Sequence, residues 1–150
     1  MRKIMAFLII VLGIALDQLF KAWVVATIPL SGNRRLIPGI LSLTHLQNNG
    51  AAWSSLEGQQ GFFLILTPLV VAVAIWYLWR KMGKFSYFLG LSLVISGALG
   101  NFVDRVRLGY VVDMIQTDFV SFPIFNLADS LLTIGFVVLI LGIIFDKDEN

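Results

Sequence analysis

The chain of 150 residues contains no cysteine. That absence removes disulfides, thiolate metal sites, thiol nucleophiles and cysteine-borne lipid anchors. Histidine is nearly missing too, with His45 the one copy. Catalytic zinc takes three protein ligands and histidine is the commonest, so no metal site is expected. Charge is scarce. Asp, Glu, Lys and Arg make up 13% of the chain, against about 25% in a soluble domain. A net charge of +2 offers no basic face, so nucleic acid is not an expected partner. What is there instead is apolar: 58% hydrophobic residues and a mean hydropathy of +0.88. A chain of this length is expected to be a single domain, 1–150, and its solvent is a bilayer.

The apolar residues fall into four blocks, at about 4–28, 62–79, 87–103 and 127–145. Each approaches the roughly 20 residues that cross a bilayer. The first follows Arg2 and Lys3, as a secretory signal peptide would. No small-x-small site closes it, and apolar sequence resumes past Asp17-Gln18 as Ala22-Trp23-Val24-Val25, so it is expected to stay in the membrane. Pro68 lies inside the second block, where a kink is tolerated, and Trp76, Tyr77 and Trp79 form an aromatic belt at its end. The third is rich in small residues: Gly90, Ser92, Ser96, Gly97, Ala98 and Gly100. Such residues let helices approach closely in lipid. The fourth runs into the charged tail Asp146–Asn150.

A membrane all-α bundle of four transmembrane helices is therefore expected, with both termini on one side. Arg2, Lys3, Arg80, Lys81, Lys84 and Lys147 sit in short segments touching span ends, which makes that side cytoplasmic. The two long connections, 29–61 and 104–126, are then external. The first alternates apolar and polar residues around Leu41–Leu46 and holds Gly32, Gly39, Gly50 and Gly58, a strand-and-turn pattern. The second holds a short apolar run, Tyr110–Ile115, with Asp113 inside it.

Polar groups at membrane depth are costly, so they mark candidate sites. Asp17 and Lys21 are four apart and share a helix face; a structural ion pair is expected, with Lys21 snorkelling to the outer interface. Asn48-Asn49-Gly50-Ala51-Ala52-Trp53 reads as a hairpin turn or as part of a site. Asn101, Asp104 and Arg105 are spaced to project from one face of the third helix. Asp113 must be hydrogen-bonded, paired or protonated, unless an exposed edge strand carries it in water. Asn126 with Asp129 three residues on is a good helix start, or places Asp129 inside the outer mouth of the bundle. Asp104, Asp113 and Asp129 can thus share one external site, and which two of them pair is open at this point. Two close carboxylates cannot both ionise cheaply, so one activates a water while the other polarises a carbonyl, the chemistry of aspartic peptide hydrolysis. A serine route through His45 lacks a nucleophile-elbow context. Two other classes compete. An ion or proton transporter would spread its acids across the bilayer depth as relay groups, and an assembly protein would use only the small-residue face of the third span.

Five ordered blocks then carry a resemblance that covers nearly the whole chain. They are Asp17-Gln18-x-x-Lys21, Asn48-Asn49-Gly50-Ala51-Ala52-Trp53-Ser54, Gly97-Ala98-Leu99-Gly100-Asn101-Phe102-Val103-Asp104-Arg105, Val111-Val112-Asp113 and Phe125-Asn126-Leu127-Ala128-Asp129. The chain resembles lipoprotein signal peptidase, or signal peptidase II, a family of bacterial aspartic membrane peptidases. The resemblance implies that Asp113 and Asp129 form the catalytic dyad. It implies that Asn48, Gly50, Asn101, Arg105 and Asn126 support the dyad or bind substrate. Asp17, Lys21 and Asp104 become structural polar residues. The implied substrate is a prolipoprotein whose cysteine carries diacylglycerol, cut just before that cysteine. The enzyme would work as a monomer among membrane lipid, without cofactor, in the bacterial cytoplasmic membrane with its site near the outer face. The connection 29–61 would form a small extracytoplasmic β-rich cradle over the site. Asn49 and Trp53 stand where Thr and Phe are common in the family, and Met114 where an aromatic is common; these departures bear on pocket shape.

Overall fold

Four long helices account for most of the computed structural model, which describes residues 1–50 and 55–146. Ala51, Ala52, Trp53 and Ser54 of the second motif, and the tail beyond Asp146, lie outside the described residues. The helices are α1 (Arg2–Thr27), α2 (Gln60–Lys81), α3 (Phe85–Leu108) and α4 (Leu127–Asp146). All four are long and apolar enough to cross a membrane. They follow the four apolar blocks, and α2 continues through Pro68. Helix α3 overruns its block, reaching Leu108 rather than stopping at 103, because Asp104 and Arg105 find partners inside the protein.

Helix α3 is the hub on which α1, α2 and α4 all pack. Its small residues are the reason. At Gly135 of α4 a Cβ would stand 2.7 Å from the Gly90 carbonyl oxygen and 2.9 Å from the Val94 amide of α3, so two glycines set the approach of these backbones. In lipid such close contact supplies the dispersion energy that water cannot drive. Over the same turns of α3, Phe88, Leu91 and Ile95 pack with Ala6 of α1 and Val71, Ala74 and Leu78 of α2. Phe7, Leu19, Ile65, Trp79 and Phe145 point outward, as lipid-facing side chains do. Among the described residues α2 and α4 make no substantial contact with each other.

The sheet at one end of the bundle draws on both long connections. Strands β1 (Asn33–Ile37), β2 (Leu41–Asn48) and β3 (Val111–Thr117) are antiparallel in the order β1-β2-β3. The cradle expected over 29–61 thus takes its third strand from the connection between α3 and α4. A register shift between Leu43 and Leu46 sets Leu46 opposite Asp113 and Asn48 opposite Val111. Successive strand residues face opposite sides. Val112 and Met114 therefore pack with Val24 and Ile28 of α1 and Leu43 of β2. Val111 and Asp113 face a cavity on the other side.

Gly135→Val is expected to lower stability by about 1–3 kcal/mol through overpacking of the α3–α4 contact. A thermal unfolding midpoint in detergent equal to that of the wild type would show that the two glycines do not set this approach.

Candidate active site

The register of β2 and β3 puts Asn48 diagonally across from Asp113 on one face of the sheet. Asn48 Nδ2 donates to Asp113 Oδ2 at 2.8 Å. The same amide accepts the Gly50 backbone N–H on Oδ1, also at 2.8 Å, so its orientation is fixed. The Asn-Gly turn and the site are one feature. A Cβ on Gly50 would stand 2.6 Å from the Ser55 carbonyl oxygen, which restricts the position to glycine. Asp113 is 2% exposed, so the solvent-exposed edge strand allowed by the sequence does not occur.

Asn126 joins Asp113 to Asp129. It precedes α4 and caps it: Asp129 N–H donates to Asn126 Oδ1 at 2.9 Å, and Asn126 N–H donates to Asp129 Oδ2 at 3.2 Å. This is the reciprocal exchange of a capping box. The Asn126 side chain, fully buried, donates its Nδ2 to Asp113 Oδ1 at 2.7 Å and to Asn101 Oδ1 at 3.0 Å. Asn101 Nδ2 donates to Asp129 Oδ1 at 2.7 Å. All four carboxylate oxygens of Asp113 and Asp129 therefore accept a bond from an amide. Burial pushes the Asp113 carboxyl up to about 6. The Asn48 bond opposes that shift, the Asp129 charge adds to it, and Asn126 and Lys21 also oppose it.

Behind the two carboxylates lies an ion cluster. Lys21 is 3% exposed and does not snorkel, contrary to the sequence-based expectation, because its partners are inside. An ammonium has three donors. They reach Asp17 Oδ2 at 2.8 Å, Asp104 Oδ2 at 2.9 Å and Asn101 Oδ1 at 3.0 Å. Asp17 Oδ1 accepts the Ala128 N–H of α4 at 2.9 Å, and Asp104 Oδ2 accepts the Val112 N–H of β3 at 3.0 Å. Gln18, which sequence reasoning left without a role, donates to Asp104 Oδ1 at 2.9 Å. Asn101, Asp104 and Arg105 share one side of α3, as their spacing predicts, but reach different partners. At 3.6 residues per turn, Asp104 lies about 60° to one side of Asn101 and Arg105 about 40° to the other. Asp104 turns to Lys21, and Arg105 turns to the Gly50 carbonyl. Of the three acids left open by the sequence, Asp113 and Asp129 meet through Asn126, and Asp104 belongs to the ion cluster.

The cavity these groups face has a volume of about 740 Å³, within the range of small-molecule sites. Leu66 and Val70 of α2, Leu132 and Phe136 of α4, and Phe125 give it an apolar wall. Among the described residues its charged lining groups are Asp113, Asp129 and Arg105. Arg105 donates from Nη2 to the Gly50 carbonyl at 3.1 Å, and its guanidinium carbon lies 4.3 Å from the centroid of the Phe63 ring. Sequence reasoning missed Phe63, since an aromatic residue at the start of an apolar span carries no local mark. His45 is elsewhere: its Nδ1 lies 3.0 Å from the Ile28 carbonyl oxygen, and it does not line the cavity. Among the described residues no three His, Asp or Glu side chains gather to hold a metal ion. Asp17, Asp104, Asp113 and Asp129 sit in one connected cluster, not at intervals along the bundle as a relay requires. Lys21→Met strands two buried carboxylates, and is expected to lower stability by about 3–5 kcal/mol. Thermal unfolding of the purified protein reads this, and an unchanged midpoint would refute it.

The chain is similar to known proteins over its full length. A family model described as signal peptidase (SPase) II matches residues 9–145. The lipoprotein signal peptidase of Lactococcus lactis subsp. cremoris (strain MG1363) is 60% identical over 150 residues, covering 100% of both chains. That of Streptococcus thermophilus (strain CNRZ 1066) is 53% identical over 151 residues, covering 100% of this chain and 97% of the relative. A solved bacterial membrane enzyme structure superposes with a TM-score of 0.93 at 36% identity, over 97% of this chain and 91% of that one. With four membrane-length helices, a three-stranded sheet at one end and these matches, the chain belongs to the signal peptidase II family and is a multi-pass membrane peptidase.

Proposed function

We propose that this membrane peptidase is an aspartic endopeptidase that removes the signal peptide from diacylglyceryl-modified prolipoproteins. It cleaves just before the lipidated cysteine, with Asp113 and Asp129 as the catalytic pair. The observation that carries the reading is that one buried residue, Asn126, hydrogen-bonds both acids on the wall of an otherwise apolar cavity. The relatives named lipoprotein signal peptidase supply the substrate class.

Two carboxylates within reach of one asparagine hold a single proton between them. The ionised member takes a proton from water as the water oxygen adds to the scissile carbonyl carbon. The protonated member gives its proton to the carbonyl oxygen. On collapse, the leaving amine takes the first proton and the second carboxyl recovers its own from the diol hydroxyl. One water is consumed and the pair regains its starting charge, so the step needs no cofactor. Asn48, Gly50, Asn101, Arg105 and Asn126 hold the pair or the substrate, and Asp17, Lys21 and Asp104 fix the elements that carry them. The apolar wall suits acyl chains, and the gap between α2 and α4 gives a membrane-bound substrate a sideways entry. Residues 1–150 act as one integral membrane domain and as a monomer. Arg2, Lys3, Arg80, Lys81 and Lys84 sit at the end of the bundle away from the sheet, which supports cytoplasmic termini and a site near the outer face.

Asp113→Asn and Asp129→Asn are each expected to slow cleavage of a lipidated precursor by about 10²- to 10⁴-fold while leaving the protein folded. Normal processing by either variant, read as a gel shift, would sink the assignment. The pH dependence has a definite sign. A raised carboxyl is protonated at pH values where an ordinary one is ionised. As pH falls through about 6 the pair loses its base, and kcat/KM drops. Stability runs the other way, since charging buried Asp113 opposes folding as pH rises through about 6. Between the unfolded value of 3.8 and neutral pH the stability of Asp113→Asn relative to wild type is therefore expected to rise by up to about 3 kcal/mol, on top of a pH-independent cost of setting an amide against the Asn48 and Asn126 donors. Melting curves of both proteins across that range check it, and a gain confined to acidic pH would contradict the sign.

A further inference from the structure

The contacts that orient Asp113 do not end at Asn48. Asn48 is aligned by the Gly50 N–H at 2.8 Å, and Gly50 gives its carbonyl to Arg105 Nη2 at 3.1 Å. The guanidinium in turn lies over the Phe63 ring, 4.3 Å from its centroid. Phe63, Arg105, Gly50, Asn48 and Asp113 thus form one unbroken run from α2 to the catalytic pair. Each link constrains the next. A single carbonyl contact does not fix the plane of a long arginine side chain. An aromatic face within about 6 Å does, and its attraction grows when water is excluded. Among the described residues Arg105 Nε is buried without a hydrogen-bond partner.

We infer that Phe63 is a positioning residue for the peptidase reaction: its ring face holds Arg105 on the Gly50 carbonyl and thereby keeps the Asn48 amide on Asp113. This rests on the reading of Asp113 and Asp129 as the catalytic pair. Its distinguishing content is that the aromatic face matters, not the bulk of the side chain. Leucine fills much of the same space and has no such face.

The test uses the purified full-length protein in lipid vesicles and a precursor bearing diacylglyceryl-cysteine. Phe63→Leu is expected to lower kcat by about tenfold, and Phe63→Tyr to recover most of that loss. Arg105→Ala lowers kcat as well, and Phe63→Leu added to it brings no further loss, because the ring acts through the guanidinium. Phe63→Leu also moves the acid limb of kcat/KM to higher pH. The Asn48 bond favours the charged form of Asp113, and loosening it leaves burial less opposed. The charged groups around Asp113 (Asp129, Lys21 and Arg105) keep their identities in this variant. Fluorinated phenylalanines at 63 keep the shape while draining the ring face, so they report even where Phe63→Leu does not fold; kcat is expected to fall with each added fluorine. Losses that multiply in the double variant, a rate indifferent to fluorination, or an unmoved acid limb would each overturn the inference. Asp113→Asn, assayed alongside, separates the two readings. If it processes normally the catalytic pair is wrong. If it is inactive while fluorination has no effect, only the role of Phe63 falls.

Discussion

Lys21 is a cation in the interior of a membrane bundle, and that position is tenable only because each of its three donors has an acceptor within 3.0 Å. A buried ammonium lacking one partner would be strongly destabilising. The partners are not passive. Asp17 spends its second oxygen on the first turn of α4, and Asp104 shares an oxygen with the backbone of β3. Asn101 turns its amide nitrogen to Asp129. One charge on α1 thus fixes α3, the start of α4 and the strand that carries Asp113. The helices bring the apolar surface together, and this ion cluster sets where the polar ends lie relative to one another.

Asn126 does two jobs that the sequence presents as alternatives. As the cap of α4 it satisfies the orphan amide of Asp129, and as a side-chain donor it reaches Asp113. A capping box normally ends at the helix it starts. Here the acid that completes the box is also half of the candidate pair, so starting the helix and placing the carboxylate are the same act of folding. The first turn of α4 therefore presents the Asp129 carboxylate with a defined orientation.

The spans were legible because hydropathy is a local property, and so was the short strand around Leu41–Leu46. Strand β1 was not, since Asn33–Ile37 is exposed at every position and carries no alternating pattern. The pairing of β2 with β3 joins segments separated by an entire helical hairpin, and no local signal records it. Lys21 looked like a snorkelling residue because its second carboxylate, Asp104, is more than eighty positions away. Asn101 and Asp113 stood out because polar residues in apolar surroundings are conspicuous, whereas Asn48 read locally as a turn and gained a site role only from the family resemblance. Phe63 escaped notice for the opposite reason, being apolar among apolar neighbours.

The scarcity of charge also bears on the proton that the proposed pair would share. Two of the connected acids, Asp17 and Asp104, are matched against one ammonium, which leaves that cluster with an excess negative charge. Arg105 adds one positive charge on the cavity wall, and one ionised member of the Asp113–Asp129 pair returns the balance to a single negative charge. A second ionised member would place another uncompensated charge in a cavity walled by Leu66, Val70 and Phe136. With Asp113 and Asp129 as the proposed pair, a shared proton would follow from how few cations touch these four carboxylates. Adding a cation there would stabilise the doubly ionised pair and remove the acid that polarises the carbonyl. A low charge content suits the membrane, and at the site burial, with the Asp129 charge added, raises the Asp113 carboxyl to about 6.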